Sequence, residues 1–170
     1  MTSLESLHDL FVSELRDLFD AENQLIKALP LLSKAARSEQ LREAFELHTR
    51  QTKEQVRRLE QIFQALGASP EGKQCKAMKG LVEEARDFLQ EDADPAVLDA
   101  GLIVAAQKVE HYEIAGYGSV RTFARVLGYK EAERLLDQTL KEESTTDEKL
   151  TEIAQRLNVR AETADQAPNV

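Results

Sequence analysis

The chain contains little of what several classes of protein require. Its 170 residues include one cysteine, Cys75, so no intrachain disulfide can form and a disulfide-stabilised extracellular scaffold is excluded. No apolar run approaches the ~18 residues of a transmembrane helix. The opening stretch, MTSLESLHDLF, lacks the basic segment and long apolar run of a secretory signal. We therefore expect a cytoplasmic protein that does not associate with membranes.

Positive charge is also scarce. The chain has 22 Lys and Arg against 31 Asp and Glu, which gives a net charge of −9. Such a surface repels phosphate backbones, so we expect no binding to nucleic acid. The 7 glycines and 4 prolines are few enough to allow long uninterrupted helices. At this length the chain can bury a substantial core as one domain, which we place at residues 1–157.

Apolar residues recur every three or four positions along most of the chain, which is the period of an amphipathic helix. Asp94 followed by Pro95 is typical of a helix start, and Gly67 and Gly128 are typical of helix ends. Pro30 falls inside the first helix and is expected to kink or break it. The predicted helices cover 3–36, with Ser3 as N-cap, and 39–66, 77–90, 95–127 and 130–157. Residues 158–170 are polar and aperiodic, which predicts a disordered tail.

No stretch shows the alternating pattern of a β-strand, so the fold class is all-α. Short connections after the first and third long helices predict antiparallel neighbours. The connection 67–95 carries its own short helix and is long enough to cross between the two pairs. Together these features predict an antiparallel four-helix bundle with one additional short crossover helix.

Charged and polar residues interrupt the apolar stripe of each long helix. Glu22 lies in a stripe of leucines, His48 interrupts the second helix, Glu110 and Glu113 the third, and Glu143 the fourth, with Asp147 beside it. A buried carboxylate costs several kcal/mol unless it is paired, protonated or bound to a metal. Counted from the turn of each helix pair, at ~1.5 Å per residue, these interruptions fall at matching depths. The sequence therefore predicts one polar layer inside the core.

A carboxylate-rich metal site is one chemistry that fits this layer. Bundle-core sites of this kind use one Glu from each of two helices and a Glu-x-x-His pair from each of the other two. Glu22 and Glu110 fit the single positions, and Glu143 fits the Glu of one pair. Thr146 stands where a histidine is expected, although Asp147 is an alternative oxygen ligand. The second helix has Thr52 and Gln55 at the equivalent positions, with His48 one turn away.

The candidate metal ligands are Glu22, His48, Glu110, Glu113, Glu143 and Asp147. They are consistent with one metal ion, with two, or with none, and no organic cofactor is indicated. Two structural alternatives stay open: a half-exposed Glu113 or one paired with a basic side chain, and a His48 that is a hydrogen-bonded core residue. The remaining histidines, His8 and His111, are expected at the edge or the surface.

Several longer motifs resemble the bacterial YciF/YciE-like family of the ferritin-like superfamily. They are DAENQLIKALPLL (20–32), FELHTRQT (45–52), CKAMKGLVEEA (75–85), AAQKVEHYEIAGYG (105–118), VLGYKEAERLL (126–136) and LKEESTTDEKLTEIA (140–154). The resemblance implies a four-helix bundle, a short helix (77–90) at a two-fold homodimer interface, and an association with stress responses. It also implies an iron or manganese site that uses Glu22, Glu110 and Glu143.

Two functions follow from these observations. The first is a stress-associated protein with a mononuclear or dinuclear iron or manganese site, which handles iron or peroxide. The second is a non-enzymatic, dimeric helical protein with a degenerate metal site, which acts through protein partners. In the second case the polar layer would be a hydrogen-bonded network that fixes helix register. The missing Glu-x-x-His histidines favour the second function, and whether the protein is an enzyme stays open.

Overall fold

A computed structural model describes residues 4–164 of the chain. These residues form five helices and no strand, which confirms the all-α class. The helices are α1 (Leu7–Ala35), α2 (Glu39–Leu66), α3 (Lys76–Phe88), α4 (Pro95–Val126) and α5 (Lys130–Ala164).

Local sequence signals account for most helix ends. The Asp94 side chain accepts a hydrogen bond from the Ala96 backbone N–H at 2.8 Å, and Pro95 begins α4, as predicted. Gly67 ends α2 in the left-handed conformation, with φ of 63°. The N-cap of α1 is Ser6, whose hydroxyl accepts from the Asp9 backbone N–H. Ser3, the predicted N-cap, lies outside the described residues, and α1 begins only at Leu7.

Two further expectations need correction. Helix α1 does not break at Pro30 but continues to Ala35. Pro30 is exposed, so the carbonyl that it leaves unpaired one turn earlier lies on the solvent side. Helix α5 continues to Ala164, so the prediction of a disordered tail is wrong for 158–164. This segment contains no glycine or proline to stop a helix, and residues 165–170 lie outside the described part of the chain.

The long helices pack pairwise, and α3 lies across one side. Helix α1 packs on α2 and α4, and α5 packs on α4 and α2. Helix α3 contacts α1 and α4. The buried carboxylate of Asp99 on α4 accepts from the backbone N–H groups of Arg37 and Ser38, each at 2.7 Å. This pair of bonds holds the α1–α2 turn against α4.

The apolar core is divided into two clusters. One cluster includes Leu25, Phe45 and Leu150, and the other includes Leu18, Leu59 and Leu136. On each of these three helices, the two named residues lie on either side of a polar or charged interruption. The predicted polar layer is therefore sandwiched between two apolar clusters.

Candidate metal centre

Each long helix contributes to the polar layer at its middle. Glu22 comes from α1, His48 from α2, Glu110 and Glu113 from α4, and Glu143 from α5. All five residues are buried, and none is more than 2% exposed. Amphipathic periodicity places them there, because each one occupies a position of the buried stripe on its helix.

Four of these residues form a compact group, which we call the core cluster: His48, Glu110, Glu113 and Glu143. One nitrogen or carboxylate oxygen from each lies within 4.8 Å of the corresponding atom of every other member. His48 Nε2 lies 3.1 Å from Glu110 Oε1 and 3.9 Å from Glu143 Oε2. The first distance brings the two side chains into contact, although His48 Nε2 has no hydrogen-bond partner within residues 4–164. The four ligand atoms therefore lie close enough together to share one ion.

Glu22 lies beside the core cluster rather than within it. Its Oε1 accepts a hydrogen bond from the hydroxyl of Tyr117, at 2.5 Å. Tyr117 is fully buried and belongs to the apolar cluster on one side of the layer. The bond fixes one oxygen of Glu22, and its other oxygen, Oε2, has no partner among the described residues.

Gln55 of α2 connects the core cluster to a surface ion pair. Its buried amide nitrogen donates to Glu143 Oε1 and also to Glu142 Oε2, at 3.2 Å for the second bond. Arg58 in turn donates to both carboxylate oxygens of Glu142, at 2.7 and 2.8 Å. Gln55 therefore holds Glu143 in place from the α2 side.

The layer holds an unusual number of unpaired polar atoms. Buried polar groups in proteins are nearly always hydrogen-bonded, and each exception needs an explanation. Eight such atoms of the layer have no hydrogen-bond partner within residues 4–164. They are Glu22 Oε2, His48 Nδ1 and Nε2, Gln55 Oε1, Glu110 Oε2, both Glu113 oxygens and Glu143 Oε2. This donor set, an imidazole with several carboxylates, fits a divalent transition metal such as iron or manganese.

Burial shifts the acidity of these carboxyls strongly. Burial raises the pKa of Glu22 to about 8, and the charge of Glu143 adds to the effect. Burial also raises the pKa of Glu110 to about 8, and the charges of Glu22 and Asp147 contribute. For Glu113 and Glu143, burial raises the pKa well above the ordinary value of 4.5. A bound divalent cation would counteract both causes of the raised pKa values. It would take the place of the water that burial removes from the carboxylates, and its charge would offset their mutual repulsion.

The structure separates the six predicted ligands into three groups. It brings His48, Glu110, Glu113 and Glu143 together, and it places Glu22 next to them. Asp147 stands apart, because its carboxylate is one-fifth exposed and faces Gln107 and His111 on α4. His111 is largely exposed, and His8 bonds Tyr129 near the start of α1. The bonds from Gln55 to Glu143 and from Tyr117 to Glu22 do not follow from a stripe alone.

The fold and the site together define the class of protein. It is all-helical, and it has a buried cluster of one histidine and three glutamates near the middle of its long helices. A family model described as "Domain of unknown function (DUF892)" matches residues 6–164. The chain belongs to this family.

Protein YciF of Escherichia coli (strain K12) is 42% identical over 162 residues, which cover 94% of this chain and 98% of YciF. The crystal structure of this E. coli stress protein superposes with a TM-score of 0.88, covering 91% of this chain and 98% of that one. YcfI of Rhodopseudomonas palustris is 39% identical, with a TM-score of 0.84 and coverage of 89% and 98%. A Xanthomonas campestris protein at 18% identity and a TM-score of 0.76, with coverage of 95% and 99%, shares the fold alone. The chain is thus a YciF homologue.

Of the helices within residues 4–164, none combines the length and apolar character needed to cross a bilayer. The cytoplasmic location stays a prediction.

Proposed function

We propose that this protein is a stress-associated, ferritin-like four-helix bundle that binds iron or manganese in its core cluster. The bundle architecture is supported by the pairwise packing of α1 on α2 and of α4 on α5, with α1–α4 and α2–α5 closing the set. The stress association is supported by the likeness to the E. coli stress protein YciF.

The observation that carries the metal proposal is the set of buried, unpaired donors around one point. Leaving a buried polar atom unpaired costs about 1–3 kcal/mol, and more for a charged group. Protonation relieves part of this cost, because Glu22 can share a proton with Glu113 and Glu110 with Glu143. A cation held by His48, Glu110, Glu113 and Glu143 would take one atom of each as a ligand, so binding offsets more of the cost.

The roles of the individual residues follow from their positions. His48, Glu110, Glu113 and Glu143 would hold the ion, and Glu22 would approach from α1 with one oxygen held by Tyr117. Four carboxylates balance the charge of two divalent cations, or of one cation with two protons retained. Bound iron or manganese would supply redox chemistry toward peroxide or oxygen. The apolar clusters on either side keep bulk water away from the layer.

Metal analysis of the purified, tag-free protein tests the proposal. We expect near-stoichiometric metal after anaerobic loading with Fe(II) or Mn(II), measured by inductively coupled plasma mass spectrometry. The double variant Glu22→Gln/Glu110→Gln should lose most of it, because an amide is a weaker ligand than a carboxylate. Glutamine keeps the shape of the side chain and removes a buried charge, so circular dichroism should show a folded variant.

The matched control exchanges two exposed glutamates, Glu54→Gln/Glu83→Gln, whose side chains are 54% and 58% exposed. This control should load like the wild type. If the wild type retains no metal, the proposal fails and the alternative remains, in which the layer fixes helix register and the protein acts through partners. Equal metal in the wild type and in the Glu22→Gln/Glu110→Gln variant would also refute this ligand assignment.

A further inference from the structure

The contact between α4 and α5 carries a carboxylate that no fixed cation neutralises. Asp147 Oδ2 lies 3.2 Å from His111 Nε2, and Asp147 Oδ1 accepts from Gln107 Nε2 at 3.2 Å. Gln107 also donates to Thr151, at 2.9 Å. Within residues 4–164, no lysine or arginine pairs with Asp147. This carboxylate therefore keeps its attraction for cations.

The exposure of Asp147 is intermediate between that of His111 and that of Glu110 in the core cluster. The side chain of His111 is 69% exposed, that of Asp147 is 20% exposed, and that of Glu110 is 1% exposed. Asp147 lies one helical turn beyond Glu143 on α5, and the charge of Asp147 acts on Glu110. Exposure thus falls in steps from His111 through Asp147 to Glu110.

Basic side chains pair with carboxylates at two other places near the layer. Between α2 and α5, Arg58 binds both oxygens of Glu142 and donates to Thr139 at 3.1 Å. A guanidinium stays protonated at all physiological pH values, so it repels an approaching cation. Beside α1, Lys73 of the connection between α2 and α3 lies 3.5 Å from Asp17 and 3.2 Å from Glu14. The carboxylates of Glu142, Glu14 and Asp17 are therefore paired with basic side chains.

We propose that divalent cations reach the core cluster through the α4–α5 contact, where Asp147 and His111 bind them first and pass them to Glu110 and Glu143. This inference rests on the proposed metal function and adds the route by which the site is filled. It also gives Asp147 a role other than that of a permanent ligand. A hydrated cation would meet one carboxylate and one imidazole, both ligand types suited to iron and manganese.

The rate of metal loading tests the proposed route, whereas the final amount of bound metal tests the site itself. The probe is Co(II), whose visible absorption changes on binding to imidazole and carboxylate ligands, mixed with metal-free protein in a stopped-flow spectrometer. The variant is Asp147→Asn, which keeps size and hydrogen bonding but removes the charge. We expect the association rate to fall at least about fivefold, because one carboxylate at a steering position affects on-rates strongly. The final amount of bound Co(II) should equal that of the wild type.

The matched control is Asp137→Asn, which removes the same charge from the same helix pair. Asp137 also lies on α5, about 15 Å from Asp147 by helical rise, and it pairs with Arg121 and Lys141 at 2.9 and 2.7 Å. It should load at the wild-type rate. The difference between the two variants should shrink in concentrated salt, since screening weakens attraction at the surface.

Three results would overturn the route while leaving the metal function intact. The first is an unchanged Co(II) association rate in Asp147→Asn, and the second is an equal slowing in Asp137→Asn. The third is a lower final Co(II) content in Asp147→Asn, which would make Asp147 a ligand. A slowing in Glu142→Gln without one in Asp147→Asn would place the route between α2 and α5 instead. If wild-type protein takes up no Co(II), Fe(II) or Mn(II), the proposed function itself fails.

Discussion

At the residue scale, the carboxyls of the polar layer tie the protein's stability to protonation. The pKa of Glu22 and of Glu110 is about 8 in the folded protein, against an ordinary value of 4.5. The folded state therefore prefers the protonated forms. The stability that these two groups contribute is complete below about pH 4.5 and is lost as the pH rises toward about 8.

We expect metal-free protein, prepared with a chelator, to become less stable between pH 5 and pH 8.5. The loss should be on the order of a few kcal/mol, since one pKa unit corresponds to ~1.4 kcal/mol. Urea unfolding followed by circular dichroism at each pH measures it. The variant Glu22→Gln/Glu110→Gln serves as the control and should show a flatter profile. Parallel profiles for the two proteins would contradict the assignment of the effect to these carboxyls.

Single residues also show how much of the candidate site can be predicted from the sequence. Stripe periodicity was enough to find Glu22, His48, Glu110 and Glu143, because a charged or polar residue among leucines is conspicuous. It could not show that Glu113 joins the core cluster and that Asp147 does not. That outcome depends on how α4 packs against α5, and the packing angle is not encoded in the spacing of one helix.

At the scale of elements, the helix bounds were predicted closely wherever a cap or a glycine marks them. Asp94, Gly67 and Gly128 are examples, and each one acts through local backbone geometry. The end of α5 was misjudged because the sequence from 158 to 164 has no apolar stripe. The helix nevertheless continues there with mostly exposed side chains, since no residue in the segment interrupts its backbone hydrogen bonds.

The α1–α2 turn should depend on Asp99, a residue that no motif singled out. Replacing it by alanine removes the acceptor for two backbone N–H groups, so we expect a loss of about 2–3 kcal/mol in the free energy of unfolding. Urea unfolding measures this loss. The comparison variant is Asp94→Ala, which removes an exposed helix cap and should cost about 1 kcal/mol. If Asp99→Ala costs no more than Asp94→Ala, the turn is not held by this contact.

At the scale of the whole molecule, the family resemblance implies a homodimer with α3 at its interface. Within the single chain, two valines of α4, Val97 and Val104, are 42% and 56% exposed. They lie in a shallow apolar depression with Phe88 of α3 and Gly101 of α4. We therefore propose this face of α3 and α4 as the dimer contact.

The oligomeric state provides the test. Light scattering should give about twice the monomer mass of 19.1 kDa for the wild type. Val104→Glu should shift the protein toward the monomer, because a charge on a dehydrated contact is costly. The matched control, Val126→Glu, changes a valine that is 70% exposed near the end of α4, and it should leave the mass unchanged. A monomeric wild type, or a dimer that persists in Val104→Glu, would rule out this interface.

The division of the apolar core into two clusters also affects where thermal opening of the protein begins. In a helical protein with an undivided apolar core, packing is tightest in the middle of the helices. Thermal opening then begins at the helix ends. Here the two apolar clusters lie above and below a layer that contributes little apolar attraction of its own. We therefore expect the cation-free protein to open first at the polar layer, in the middle of the long helices. Small solutes could then exchange with the interior while both ends stay packed.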